Sequence, residues 1–247
     1  MLSILYQIFY QPLFNVFFVL FFFIYDNISF NDFGIAIIVL TLTVRVVLYP
    51  LFHKGMYHQT AMQRLSPKIK EVQDKHKGNM QKQTEALWEL YREHKVNPFS
   101  GLLFIIIQLP IFIAMYGLIS GVASNASLPL YSFVAPRQGI NDMFLGLINM
   151  HESSIFLIVV AVVLQFFQAK YSLPKVSEEN KNKELTPQEQ VGRNMMYIMP
   201  GMTAVILWNF PSAFALYWAA TAGLSIIQQY FVNKTILHKK ELSDKSR

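Results

Sequence analysis

Long apolar stretches separated by short charged ones organise the chain. Residues 1–25 carry no charged side chain, nor do 33–44 and, past Arg45, 46–53. Residues 96–136 form an uncharged block of 41, 153–169 one of 17 and 194–233 one of 40. A helix needs about 20 mostly apolar residues to cross a bilayer. The 41-residue block holds one such span and then a Ser/Asn/Pro loop. The 40-residue block holds a pair, split at Asn209-Phe210-Pro211-Ser212, a turn sequence. The pattern therefore predicts five core spans, at 33–52, 102–122, 154–171, 195–209 and 212–232. The fourth, of 15 residues, needs a thin bilayer or an upstream extension. These lengths suit helices rather than barrel strands of about 10 residues.

Between the first two spans the periodicity changes. Leu65, Ile69 and Val72 share one helical face, and so do Leu87, Leu90 and Tyr91. Lys77-Gly78-Asn79 is the expected turn, so 53–98 reads as a two-helix hairpin. It is either a solvated pair covering two spans or a docking surface, with Lys68, Lys70, Lys75 and Lys77 as candidate contacts.

Charge then orients the spans. The segments 53–98, 170–193 and 233–247 hold nineteen of the 21 Lys and Arg. If five spans alternate, all nineteen lie on one side, and Arg137 is the single cation opposite. The excess of Lys and Arg in cytoplasmic loops places the hairpin, the 172–194 loop and the 233–247 tail in the cytoplasm, and the 123–153 loop outside. Residues 1–25 lack the basic start of a signal peptide. They are either a sixth span or an apolar helix in the outer interface. The interfacial helix is favoured, because a sixth span would put Met1 in the cytoplasm with no basic anchor.

Composition agrees. Hydrophobic residues make up 53% and charged ones 15% of the 247, and mean hydropathy is +0.32. A soluble domain averages about 25% charged residues. Disorder is excluded on these grounds, and too few charges remain to coat a compact water-soluble enzyme. The net charge of +6 reports orientation rather than nucleic-acid sequence recognition. The absence of cysteine removes disulfides and thiol chemistry.

Arg45 breaks the pattern. It falls inside the first span, where a central Arg costs about 2.5–3.5 kcal/mol on insertion scales. It either snorkels to the cytoplasmic interface or faces a polar cavity. Its neighbours favour the cavity: Thr41, Arg45 and Tyr49 fall at i, i+4 and i+8. Tyr217, Thr221, Ser225 and Gln228 or Gln229 make a second polar stripe, and Gln108, Gln165 and Gln168 add amides. No acidic residue lies within any span. Such groups also hold helices together by hydrogen bonds. Met195, Met196, Met199 and Met202 crowd the fourth span, as core, lipid-facing or adaptable binding surface.

No nucleotide-binding glycine motif, H-E-x-x-H or G-x-S-x-G occurs. His53 and His58 lie in a basic stretch without carboxylates, a poor metal spacing. Neither a cofactor nor an enzymatic activity is expected.

A set of motifs resembles the YidC-type membrane protein insertases. They are Tyr10-Gln11-Pro12-Leu13-Phe14, Thr41 through Arg45 with Tyr49-Pro50-Leu51, Leu65-Ser66-Pro67-Lys68-Ile69, and Val96-Asn97-Pro98. Gln108-Leu109-Pro110-Ile111-Phe112, Trp208 through Ser212 and Ile226-Ile227-Gln228-Gln229 complete the set, in order over about 8–234. The resemblance implies an all-α polytopic membrane protein. Five core helices, an N-terminal interfacial helix and a cytoplasmic hairpin would enclose a hydrophilic groove open to cytoplasm and lipid. On this resemblance the groove residues are Arg45, Thr41, Gln168, Tyr217 and Trp218. Trp218 stands where a second Tyr is common. The chain is expected to be a bacterial plasma-membrane member without the large extracytoplasmic domain. Its partners would be nascent membrane proteins and the lipid bilayer. The ribosome, signal recognition pathway and general secretion translocon are further candidates. A small anion transporter or channel, with Arg45 as its binding charge, is the competing reading.

Overall fold

The computed structural model describes residues 6–124, 129–135, 140–173 and 187–245. Arg137, Lys175, Lys181, Lys183 and Arg247, used above for orientation, lie outside the described residues. Eight α-helices account for most of the rest: α1 (Gln11–Asn27), α2 (Phe33–Val47), α3 (Tyr49–Lys75), α4 (Met80–Glu93), α5 (Ser100–Ser124), α6 (Ile155–Ser172), α7 (Pro187–Trp208) and α8 (Ser212–Lys245). A π-helical turn, Tyr6–Tyr10, precedes α1. A two-stranded antiparallel ribbon, β1 (Met143–Phe144) and β2 (Ile148–Asn149), sits before α6. The helical pattern did not announce this ribbon, because two-residue strands leave no periodicity to read.

The helix ends follow local chemistry. Asp32 caps α2, its Oδ1 accepting from Ile35 N at 2.8 Å, and Asn79 caps α4, accepting from Lys82 N at 3.0 Å. Pro187 opens α7, where a missing N–H costs nothing. The helix expected over 33–52 is two helices, divided at Leu48. Pro50 is the cause, since it has no N–H to offer the carbonyl of Val46. α7 starts earlier than the expected 195, and α8 continues past 232 to Lys245.

By length and composition, two described stretches suffice to cross a membrane: Tyr6–Asn27 and Ile155–Ser172. α2 and α3 meet that test only when taken together across their break, and Ile106–Val122 is a shorter apolar helix. α6 buries little of its surface, leaving Ile155, Phe156, Val159, Val163 and Phe167 exposed. That is the mark of a helix whose partner is lipid.

The chain forms two compact units. The first comprises Met1–Leu48, Ile105–Gln165 and Gly201–Leu224. An aromatic ladder runs along its N-terminal helix: Tyr6, Tyr10, Phe14, Phe18 and Phe22 meet at i, i+4 spacing, with centroids 4.6–6.3 Å apart, and the three phenylalanines are buried. Phe21 meets Phe33 of α2 edge-on at 5.4 Å. Gly117 lets α5 approach this ladder, because a Cβ there would overlap Tyr10 Oη and press on Phe14. Asn15 donates to Pro129 O at 3.0 Å and accepts from Tyr131 N at 2.8 Å, and Tyr25 Oη accepts from Asn141 N at 2.7 Å. Both ends of α1 are thus tied to the segment after α5.

The second unit comprises Tyr49–Phe104, Phe166–Pro200 and Ser225–Arg247. Here α3 and α4 pack through Leu65, Ile69 and Leu90, with Val72, Leu87 and Tyr91 around them. The connecting turn uses Gly78 at φ +92°, a conformation that a side chain would strain. Lys68 Nζ lies 2.9 Å from His94 Nε2, while His94 Nδ1 reaches Leu90 O at 3.0 Å. Nδ1 is therefore the donor and Nε2 the acceptor for the lysine. Elsewhere in this unit, Gln229 Nε2 donates to Thr60 Oγ1 at 2.9 Å, a buried amide–hydroxyl bond between α8 and α3.

Candidate functional site

Thr41 and Arg45 lie one turn apart on α2 and share a face. Both are about 4% exposed. The Thr41 hydroxyl donates to Ile37 O at 2.7 Å, so its proton is used within its own helix and its lone pairs remain. Arg45 is thus a buried guanidinium in an apolar helix, an arrangement that persists only where polar groups surround the charge.

Those groups come from α5 and α8. Tyr217, 3% exposed, interacts electrostatically with Arg45 and shares a side-chain hydrogen bond with Thr221, one turn along α8. Its hydroxyl also accepts from Gln108 Nε2 of α5 at 2.9 Å. Gln108 Oε1 is buried and accepts no hydrogen bond among the described residues. The next residue on α8, Trp218, points elsewhere, since successive helical side chains diverge by about 100°. Its Nε1 donates to Gln165 Oε1 of α6 at 3.2 Å, and its ring meets Phe112 of α5 edge-on at 6.1 Å. Four helices of the first unit therefore contribute, and α8 joins the set with two adjacent aromatics. These groups offer hydrogen bonds and one charge: Arg presents a planar fork for a carboxylate, and Gln108 presents an acceptor.

Of the five groove residues read from the sequence, Arg45, Thr41, Tyr217 and Trp218 lie in this unit. Gln168 lies in the second unit, where its carbonyl accepts from Ser172 Oγ at 2.9 Å. The amide that meets Trp218 is Gln165, one turn earlier on α6. Amide spacing alone cannot rank residues three apart, because both sit on adjoining parts of one helical face. Tyr49, expected at i+8 from Thr41 on one continuous helix, lies beyond the break at Leu48 on α3, where it stacks on His53 at 5.4 Å. Of the hairpin lysines, Lys68 is engaged by His94, Lys70 is half-buried, and Lys75 and Lys77 are exposed. Among the described residues no group of three or more His, Asp or Glu could hold a metal ion.

A family profile described as 60Kd inner membrane protein matches residues 23–240. The chain is 29% identical, over 83% of its length, to the membrane protein insertase YidC of Syntrophobacter fumaroxidans, and spans 35% of that protein. It is 32% identical to the protein of that name from Oceanobacillus iheyensis, covering 85% of this chain and 79% of the relative. For that of Fusobacterium nucleatum the identity is 34%, covering 83% and 87%. The chain therefore spans little more than a third of the first relative and most of the other two.

Proposed function

The chain belongs to the 60Kd inner membrane protein family, and from that premise we propose that it is a membrane protein insertase and chaperone of the bacterial plasma membrane. The observation that carries this reading is Arg45, buried at the meeting of α2, α5 and α8 in a chain of apolar helices. A short polar or acidic segment of a nascent membrane protein enters beside Arg45 and exchanges water for the guanidinium, the Tyr217 hydroxyl and the free Gln108 carbonyl. The apolar segment that follows then partitions into lipid along the bare face of α6. Burial of about 20 apolar residues drives insertion, so nucleotide hydrolysis has no step to power. The site lowers the barrier for the polar segment; it does not supply the energy.

The five-span topology, with the 53–98 hairpin and the tail in the cytoplasm, belongs to the same proposal. So does the placing of α1 in the outer interface. Its support is that Asn15 and Tyr25, at opposite ends of α1, bond to one segment after α5. The exposed Lys75 and Lys77 are the candidate contacts for the ribosome, signal recognition pathway or general translocon.

Reconstituted proteoliposomes test the reading. Arg45→Ala lowers insertion of a substrate with an acidic translocated tail by about tenfold, the equivalent of roughly 1.4 kcal/mol. Arg45→Lys retains most activity, because the charge remains. Equal insertion by the Ala variant sinks the charge-attraction mechanism. Saturable anion flux with no insertion replaces the insertase with the transporter reading.

A further inference from the structure

Two loop tips of the first unit hold apolar side chains outward on strained backbone. The α1–α2 turn is tightly bonded. Ile28 N and Ser29 N donate to Ile24 O at 2.8 and 2.9 Å, Asn31 N to Tyr25 O at 3.2 Å, and Asp32 N to Ser29 O at 3.0 Å. Ser29 is fully buried, its hydroxyl donating to Tyr25 O at 3.1 Å. Within this frame Phe30 takes φ +55° and leaves 92% of its surface bare. A bulky residue in the left-handed region is a genuine outlier, and such strain collects where function needs it.

The second tip is the β1–β2 turn. Leu145 sits at φ +52° and Gly146 at φ +67°, Leu147 N donates to Phe144 O at 2.9 Å, and Leu147 is 81% exposed. Asp32 joins the two tips. While its Oδ1 caps α2, its Oδ2 accepts from Leu145 N at 2.5 Å. The Phe144 ring lies on the bare backbone of Gly34, where a Cβ would overlap it.

Two observations say what covers the tips. Val16, Val19 and Phe23 form the exposed apolar stripe of α1 at i, i+3 and i+7, and beyond the end of the helix Ile28 and Phe30 are exposed as well. The carboxylates near the tips are Asp26, Asp32, Asp142 and Glu152; His151 Nε2 lies 2.7 Å from Asp142 Oδ1, and no Lys or Arg occurs before Arg45 or within 138–169. An anionic headgroup or an acidic partner is therefore disfavoured.

We propose that Phe30, Leu145 and Leu147 form a two-tip wedge buried at the headgroup–acyl boundary of a zwitterionic leaflet. Arg45 lies thirteen residues beyond Asp32, about 20 Å along α2 at 1.5 Å per residue. The wedge sets the depth at which α2 holds that charge. The inference rests on the chain's residence in a membrane, not on the insertase activity.

The chain has no cysteine, so single cysteines label cleanly. Phe30→Cys, Leu147→Cys, Val159→Cys on the bare face of α6 and Gln81→Cys on α4 each carry an environment-sensitive fluorophore. All are reconstituted in phosphatidylcholine vesicles. Lipids with a nitroxide near the headgroup end of the acyl chain quench the labels at 30 and 147 several-fold more than the label at 81. Aqueous iodide shows the reverse order, and replacing part of the lipid with phosphatidylglycerol does not strengthen the lipid quenching. Quenching at 159 establishes that the protein is embedded. With 159 quenched by lipid, iodide access to both 30 and 147 overturns the wedge, and iodide access to 147 alone overturns the two-tip arrangement. Stronger quenching in phosphatidylglycerol overturns the zwitterionic assignment. None of these results bears on the Arg45 insertion assay, so the two readings fail separately.

Discussion

At the residue scale the site is a short relay of polar contacts: Arg45 to Tyr217, Tyr217 to Gln108 and Thr221, and beside it Trp218 to Gln165. Each bond is worth little net in isolation, but a buried polar atom that loses its partner costs about 1–3 kcal/mol. Tyr217→Phe leaves Gln108 Nε2 without its acceptor. It is expected to destabilise the protein by about that amount, seen as a lower melting temperature in detergent. Adding Gln108→Leu to Tyr217→Phe recovers much of the loss, because both partners are then apolar. A double variant as unstable as the sum of the singles would show that the two side chains do not act as a pair.

At the element scale, Asp32 and Pro50 bound α2 for opposite reasons. Asp32 supplies an acceptor that the first turn lacks, and Pro50 withholds a donor that continuation of the helix would need. Asp32→Ala removes the cap and the tie to Leu145 together. Its expected cost, read from thermal or denaturant unfolding, exceeds the roughly 1 kcal/mol of a cap alone. Asp32→Ser keeps an oxygen for Ile35 N and should fall between wild type and Ala. A Ser variant as stable as wild type would mean that the Leu145 bond contributes nothing, and a loss no larger for Ala than for Ser would mean the same of the cap. Across the α3–α4 pair, the cluster of Leu65, Ile69 and Leu90 is small. Lys68 and His94 add a polar link at the end of the pair remote from Gly78.

At the scale of the whole molecule the question is which side of the membrane each loop faces. The proposed topology, argued from the distribution of Lys and Arg, has α4 in the cytoplasm and the α1–α2 turn outside. A membrane-impermeant maleimide should label Gln81→Cys only in inverted vesicles and Asn27→Cys only in intact cells. The opposite pattern would invert the topology and, with it, the side from which Arg45 is reached.

Sequence alone carried the helical class, the apolar stretches, the hairpin faces and the motifs of the family, because each is written in local periodicity or in consecutive residues. Arg45 was legible for the same reason: one charge in an uncharged stretch is conspicuous without coordinates. Which amide meets Trp218 was not legible, since Gln165 and Gln168 differ only in how α6 is rotated against α8, and packing sets that rotation. The break at Leu48 interrupted the continuous helix that the i+8 spacing of Tyr49 had assumed, because a proline acts on the carbonyl four residues before it. The β-ribbon has two-residue strands, the double use of Asp32 joins residues more than a hundred apart, and the outward turn of Phe30 rests on left-handed backbone. None of these leaves a repeat in the chain, and so the tertiary structure alone decided them.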